Sequence, residues 1–241
     1  MDALIYTAMS GAERSLHAQQ VHANNLANLD TPGFRANMEL ATSQSVKGYG
    51  YDARHLGALQ ANAVSGREGA VRQTGRDLDV ALAGPGYLTV QWQDGEAYTR
   101  SGAMTIDADG ALSVSGHPVL GEGGPIVLPP YTALSIGADG TISVQLDGQP
   151  QMQVIDKLKL VRADAADLTK NEAGLIVSRT GDELPADDTV SVRGGFLEGS
   201  NVSAVEEMVA TMSLTRDFEV QMKLYKAADA MAEAGNRLIR E

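Results

Sequence analysis

Two long segments at opposite ends of the chain carry apolar residues at helical spacing. Between residues 3 and 28 they recur at alternating steps of four and three, with one polar gap, at Ile5, Met9, Ala12, Leu16, Gln19, Ala23 and Leu26. Between residues 203 and 240 one stripe comprises Leu214, Phe218, Tyr225, Ala228 and Ala232, widened by Met208, Met212, Met222 and Leu238. The pattern predicts two terminal helices whose apolar faces need partners.

Cap and turn residues mark where these helices meet the rest of the chain. Ser203 and Glu206 fit a capping box, in which a hydroxyl and a carboxylate satisfy each other's backbone donors. Pro32 disfavours a helical conformation at Thr31, and residues 31–34 place Pro and Gly as a type II turn does. We therefore predict a sharp end to the first helix just before this turn.

The middle of the chain has a different pattern. Small and polar residues dominate positions 43–75, and this composition predicts an extended arm. From residue 76 to 195 apolar and polar positions alternate, as Leu88, Val90 and Trp92 do in a predicted half-buried strand. Asp-Gly pairs at 109–110 and 139–140 lie between short apolar runs and predict hairpins.

These elements predict an α+β chain in four parts. The terminal helices form a coiled-coil layer, and an antiparallel all-β domain, a sandwich or an irregular barrel, is inserted between them. The parts are an axial helix with its turn (1–35), an extended arm (36–75), an outer β-rich domain (76–195), and a C-terminal motif with its axial helix (196–241).

Composition and charge narrow the classes of partner. The 241 residues carry a formal net charge of −12, which disfavours nucleic acid. The chain has no cysteine, so disulfides and thiolate metal sites are excluded. The first residues lack the features of a signal peptide, and no stretch has the roughly 20 apolar residues that span a bilayer. We expect no membrane insertion, and either a cytoplasmic protein or export without a cleaved signal.

The polar clusters do not predict catalysis. His17 and His22 are five positions apart, about 140° around a helix, whereas a metal-binding pair prefers three or four. Asp107 and Asp109 resemble half of a calcium loop, but the later carboxylate is absent. We expect no enzyme activity, no metal and no cofactor. A β-domain enzyme or carbohydrate binder, and a scaffold coiled coil with a β ligand-binding domain, are the alternatives.

Two motifs resemble a known family. Residues 24–34 read Asn-Asn-Leu-Ala-Asn-Leu-Asp-Thr-Pro-Gly-Phe, and residues 198–202 read Glu-Gly-Ser-Asn-Val. Both are similar to the paired terminal motifs of bacterial flagellar rod and hook proteins, in the same order and at the same ends. Segments 1–9, 77–82 and 216–223 look most like the proximal rod proteins, with the distal rod proteins as the alternative.

The resemblance implies a structural subunit of the basal-body rod, which polymerises into a helical driveshaft that transmits motor torque for motility. It implies contacts with copies of itself, with proximal and distal rod subunits and with the flagellar type III export apparatus. It also implies a position in the rod within the periplasm, with the terminal helices around a central channel. Helical pattern and resemblance together predict an assembly interface formed by Ile5, Met9, Leu16, Asn25, Leu26, Asn28, Thr31, Pro32, Gly33, Phe34, Glu198, Ser200, Asn201, Val202, Met208, Met212, Leu214, Phe218, Met222 and Tyr225.

Overall fold

The computed structural model describes residues 2–45, 55–93 and 95–240. Its residues cluster into two compact units. The helical unit comprises Met1–Ala27, Asn37–Asn62 and Ser203–Glu241, and the β unit comprises Asn28–Ala36 and Ala63–Val202. The chain therefore interleaves the two units, and the predicted α+β class is confirmed.

Two long helices make up most of the helical unit. Helix α1 spans Asp2–Ala27 and helix α2 spans Ala204–Arg240, each within one residue of its predicted bounds. Ser203 caps α2, because its Oγ accepts a hydrogen bond from the backbone N–H of Glu206 at 3.5 Å. The segment predicted as an extended arm contains strands β1 (Asn37–Ser45) and β2 (His55–Val64), which pair with each other, and β3 (Val71–Gln73). Residues 46–54 of that segment lie outside the described residues.

The β unit is built from short antiparallel strands. The strands after β3 are β4 Val80–Ala83, β5 Gly86–Trp92, β6 Gly95–Thr99, β7 Met104–Ile106, β8 Leu112–Val114, β9 His117–Pro118, β10 Leu120–Gly121, β11 Gly124–Pro125, β12 Tyr131–Ile136, β13 Thr141–Leu146, β14 Met152–Lys157, β15 Leu160–Arg162, β16 Leu168–Lys170, β17 Ile176–Ser178, β18 Ser191–Gly194 and β19 Phe196–Glu198. The largest sheet has five strands in the order β15-β5-β6-β17-β16, and three-stranded sheets are formed by β7-β8-β9 and β12-β13-β14.

Both predicted Asp-Gly hairpins are confirmed. Gly110 lies between β7 and β8, Gly140 lies between β12 and β13, and both have φ of +85°. Only glycine adopts this left-handed conformation without a steric penalty, which explains the residue at each turn.

The strand predicted at Leu88, Val90 and Trp92 is present as β5, and these residues belong to the main apolar core, but the prediction that the strand is only half-buried is wrong. Strand β5 lies between β15 and β6, and its outward positions Tyr87 and Thr89 are buried as well. Tyr87 packs in a second apolar cluster with Tyr98, Val64, Val161, Leu168 and Ile176. Alternation of side-chain type therefore failed to predict exposure, because this strand is covered on both faces.

Candidate functional site

Helix α1 packs on α2 through small side chains. Among the described side chains of α1, the buried ones are Ala8, Ala12, Ser15, Ala18 and Asn25. Successive positions are three or four residues apart, except that Ala18 and Asn25 are seven residues apart. Ala12 also belongs to the predicted apolar seam, whereas Met9, Leu16 and Leu26 of that seam lie one residue, about 100°, away from the buried stripe. Small side chains at most of the buried positions allow the two helices to pack closely.

Gly11 leaves room for a side chain of the facing helix. A Cβ atom at this position would lie 2.9 Å from Cδ of Gln221, at the end of that flexible side chain. Further along, Nε2 of Gln19 donates to Oγ1 of Thr215 at 3.4 Å. Residues late in α1 thus meet residues early in α2, so the helices run antiparallel.

Polar residues close the end of the helix pair. Nδ1 of His22 lies 2.5 Å from Oε2 of Glu207, and Nδ2 of Asn25 donates to Oε1 of Glu207 at 3.3 Å. The buried Asn25 also bonds the backbone of Asn37, donating to its carbonyl at 3.0 Å and accepting from its N–H at 2.8 Å. The structure therefore places Asn25, a predicted assembly residue, inside a single subunit, where it holds the chain that returns from the β unit.

Helix α2 has one face packed on α1 and a row of exposed apolar residues outside it. Its inner stripe, which faces α1, consists of the buried or half-buried residues Glu207, Thr211, Leu214, Phe218, Gln221 and Ala228. Its outer stripe consists of residues with 47–71% of their surface exposed: Val205, Val209, Met212, Val220, Leu224 and Met231. The first three of these lie opposite the inner stripe, about 200° around the helix, and the last three lie beside it, about 40–100° away. Apolar residues on a second side of a helix indicate a further packing partner.

The predicted interface residues on the two helices differ in how far they are buried within the subunit. Leu214 and Phe218 belong to the inner stripe, and Leu26 is half-buried. Exposure is 36–62% for the others, namely Met9, Leu16, Met208, Met212, Met222 and Tyr225. The side chain of Ile5 lies outside the described residues.

In the β unit the two family-like motifs lie side by side, and we call this place the motif junction (residues 31–36 and 198–201). The predicted turn is present: the N–H of Phe34 donates to the carbonyl of Thr31 at 3.2 Å, and Gly33 has φ of +67°. The N–H of Gly33 donates to the carbonyl of Glu198 at 2.8 Å, and the N–H of Asn201 donates to the carbonyl of Phe34 at 3.2 Å.

Side chains of both motifs reinforce the junction. Oδ1 of Asn201 accepts from the N–H of Ala36 at 2.7 Å, and its Nδ2 donates to the carbonyl of Arg67 at 2.8 Å. Oδ1 of Asn28 accepts from Oγ1 of Thr31, and Oγ of Ser200 accepts from the N–H of Val202. Half-buried Pro32 completes the turn. The predicted motif residues are thus brought together by contacts within one chain.

A buried ion cluster lies under the junction. Oε1 of Glu198 is 2.9 Å from Nη2 of Arg35, and Oε2 accepts from Nε of Arg100 at 2.8 Å. The N–H of Gly69 donates to Oε1 of Glu198 at 2.9 Å. All three ionic side chains are at most 3% exposed. Arg100 also donates to the carbonyl oxygens of Gly84 and Gly86, both at 2.6 Å.

The cluster contains two guanidinium groups for one carboxylate. Burial lowers the pKa of Arg35, and the negative charge of Glu198 partly offsets that effect. Nε and Nη1 of Arg35 have no hydrogen-bond partner within the described part of the chain. Sequence reasoning missed Arg35 and Arg100 as site residues, because arginine is usually exposed and no local pattern marks the buried exceptions.

A half-buried lysine contacts the aromatic residue of the turn. Nζ of Lys170 lies 3.7 Å from the ring centroid of Phe34 and donates to the carbonyl of Arg35 at 2.6 Å. Burial lowers the pKa of Lys170 to about 8. The turn is thus held from the Glu198 side and from the Lys170 side.

The described residues contain neither a cluster of metal-ligating side chains nor a helix of membrane-spanning character. They contain no group of three or more His, Asp or Glu side chains placed to hold a metal ion. Neither of the two long helices, over its described length, is apolar enough to cross a bilayer.

Three family models match successive parts of the chain. A model described as flagella basal body rod protein matches residues 5–35, which contain α1 and the turn. A model for the D1 domain of the flagellar hook protein FlgE/F/G matches residues 81–144, and one for the C-terminal part of the flagellar basal body rod FlgEFG protein matches residues 193–238. The matches therefore cover both helices, both motifs and part of the β unit.

Known proteins are similar over the full length. The chain is 40% identical to the flagellar basal-body rod protein FlgF of Escherichia coli, over 99% of each chain, and equally to the protein of that name from Salmonella typhimurium. It is 30% identical to the flagellar basal-body rod protein FlgG of Buchnera aphidicola, over 94% of this chain and 97% of the relative. The higher identity favours FlgF over FlgG, and the chain belongs to the family of flagellar basal-body rod proteins.

Proposed function

We propose that this chain is a structural, non-enzymatic subunit of the bacterial flagellar rod, which polymerises with copies of itself and with other rod proteins. The full-length similarity to FlgF supports the proximal part of the rod. The alternative is the distal part of the rod, the position of FlgG-type proteins, and the lower identity to FlgG gives it less support.

The observation that carries the proposal is the outer stripe of α2. Its inner stripe is covered by α1, whereas the residues of the outer stripe are about half exposed or more. Burying apolar surface stabilises an assembly by about 25 cal/mol per Å². A stripe that runs along the helix suits a partner of the same shape, namely a helix of a neighbouring subunit.

Assembly through such faces gives a polymer. Contact between different surfaces of identical subunits is heterologous and propagates into a helical array when the rotation does not close. In the proposed rod, the terminal helices form an inner coiled-coil layer around a channel and the β units lie outside. The many repeated helix contacts would make the shaft stiff enough to transmit torque.

The motif junction suits a subunit that carries a mechanical load. The chain leaves the β unit towards α1 through residues 28–36 and towards α2 through residues 196–202, and these two connections are bonded to each other. A buried ion cluster and three hydrogen bonds between the two connections fix their relative positions. We propose that this arrangement passes force between the helical layer and the β unit without local unfolding.

The proposed location is the flagellar basal body, in the part of the rod that crosses the periplasm. Export by the flagellar type III apparatus, without a cleaved signal peptide, is part of the same proposal and follows from the family resemblance. Nucleic acid and membrane insertion have no role in it.

The outer stripe provides the test. Met212→Asp places a charge at an exposed position, so the isolated chain should unfold at an unchanged temperature, whereas burial of that charge in the rod should prevent incorporation. We expect cells that carry only this variant to lack it in purified basal bodies and to lose motility. Leu16→Asp, on the exposed face of α1, should behave in the same way.

Met152→Asp is the matched control, because Met152 is an exposed methionine on strand β14 of the β unit and lies on neither helix. This variant should be incorporated. Normal incorporation of both Met212→Asp and Leu16→Asp would contradict the proposed role of the exposed helix faces.

A further inference from the structure

A small cavity lies between the two helices of the helical unit. Its volume is about 230 Å³. Gly11, Ser15 and Ala18 of α1 form one wall, and Leu214 and Gln221 of α2 form the other. Arg14, Asp217 and Val220, which also line it, are exposed, so the cavity is open at the surface and accessible to a neighbouring molecule.

We propose that a second copy of this chain inserts an apolar side chain of its own α2, from the turn that contains Val220 and Leu224, into this cavity. The inference rests on the proposed function and deepens it, because it names the contact by which one subunit recognises another. Insertion of a side chain into a hole formed by residues of a facing helix pair is the packing mode of coiled coils.

Position supports a second copy as the occupant. Val220 lines the cavity and also belongs to the outer stripe, so the cavity opens onto the face that the proposed assembly covers. The same chain therefore offers both the hole and the exposed apolar side chains of matching type. Val220 and Leu224 are 52% and 47% exposed, so both are accessible to a neighbour.

Charge supports the same occupant. Arg14 and Asp217 line the cavity, both are exposed, and neither has an ion-pair partner among the described residues. An occupant that complements them must offer one acidic and one basic group. In the second copy, Glu219 precedes Val220 and Lys223 precedes Leu224. Exposed ion pairs contribute little affinity, so these charges would mainly set the register of the two helices.

Filling the cavity tests the inference. Asp217→Leu fills it from its exposed rim, and sedimentation velocity of the full-length chain over a range of concentrations measures self-association. We expect this variant to unfold at about the wild-type temperature, because the position is exposed, and to self-associate at least about tenfold more weakly. Gln20→Leu, which adds the same side chain at an exposed position of α1 outside the cavity, should associate as wild type does.

Two results would overturn the inference. Wild-type association of a folded, cavity-filled variant would mean that the cavity is a packing gap of the single subunit. A wild-type chain that stays monomeric at every concentration would exclude a second copy as occupant. In either case the proposed function is decided separately, by incorporation of the chain into basal bodies.

Charge exchange tests the register. Arg14→Glu should weaken self-association about three- to fivefold, and adding Glu219→Arg in the same chain should restore it. Adding Asp229→Arg instead changes the net charge equally but places the cation elsewhere on α2, and should not restore association. Equal rescue by both second substitutions would contradict the proposed pairing.

Discussion

Glu198 is the single residue on which most contacts of the motif junction depend. Its carboxylate binds Arg35 and Arg100, its carbonyl accepts from Gly33, and it also accepts from the N–H of Gly69. Among the carboxylates that act on Arg35, Glu198 has the largest effect and Glu68 a smaller one. The family-like motif is thus explained at this position by the stability of one subunit.

Glu198→Gln should therefore destabilise the β unit strongly. The amide keeps part of the hydrogen bonding but leaves two buried cations without a counter-charge, which costs about 3–5 kcal/mol. Urea unfolding followed by the fluorescence of Trp92, the only tryptophan of the chain, measures the effect in this unit. The exposed Glu172→Gln should change the free energy of unfolding by less than about 0.5 kcal/mol, and a similar small effect at Glu198 would refute the assignment.

Lys170 gives the junction a dependence on pH. Its pKa is lowered from 10.5 to about 8 in the folded chain, so between these values the unfolded chain holds a proton that the folded chain has lost. Stability should therefore rise with pH across this window, by at most about 3 kcal/mol.

Burial also raises the pKa of Tyr87 and Tyr98, and these two groups lower the stability of the folded chain as pH increases at high pH. A comparison of the wild type with Lys170→Met separates the contribution of Lys170 from theirs. The free energy of unfolding of the wild type should rise relative to that of the variant as pH increases above about 8. Parallel pH profiles of the two proteins would show that Lys170 does not contribute.

At the scale of elements, the sequence predicted the helices well and their faces less well. Helix bounds, the turn at residues 31–34 and both Asp-Gly hairpins follow from local chemistry, so they were predictable. Ala12 was predicted correctly on the face of α1 that packs on α2, but the other buried positions of that face are shifted by one residue from the predicted seam. That shift depends on how closely two helices approach, and no feature of one helix alone encodes it.

The candidate site was likewise predicted only in part. Its motif residues were identified, but the partners that bury them, Arg100 and Lys170, come from distant strands and loops. Contacts between residues this far apart in the chain arise from the folded topology, and periodicity carries no information about them. The strand around Leu88 was misjudged for the same reason, because its exposure depends on the strands beside it.

Gly33 is the element-scale test of the turn. Its φ of +67° is unfavourable for other residues, and a Cβ there would lie 2.2 Å from the backbone nitrogen of Ser101. Gly181 has a similar φ of +79° with no atom near the corresponding position. Gly181→Ala should therefore cost about 1–2 kcal/mol from backbone strain alone, and Gly33→Ala about 1–3 kcal/mol more, measured by urea unfolding. Equal costs would mean that the turn is not packed as described.

At the scale of the whole molecule, the chain combines a well-packed β unit with a helical unit that leaves one apolar face uncovered. Net charge of −12 would keep isolated copies apart at a distance, so assembly must depend on close apolar contact. The central claim is that the outer stripe of α2 is buried only between subunits.

A density map of the intact basal body tests this claim most directly. The account predicts that residues 2–27 and 204–240 form the innermost layer of the rod, with Val205, Met212 and Leu224 in contact with helices of neighbouring subunits. A map in which these side chains face the channel or solvent, or in which the β unit forms the inner layer, would contradict it.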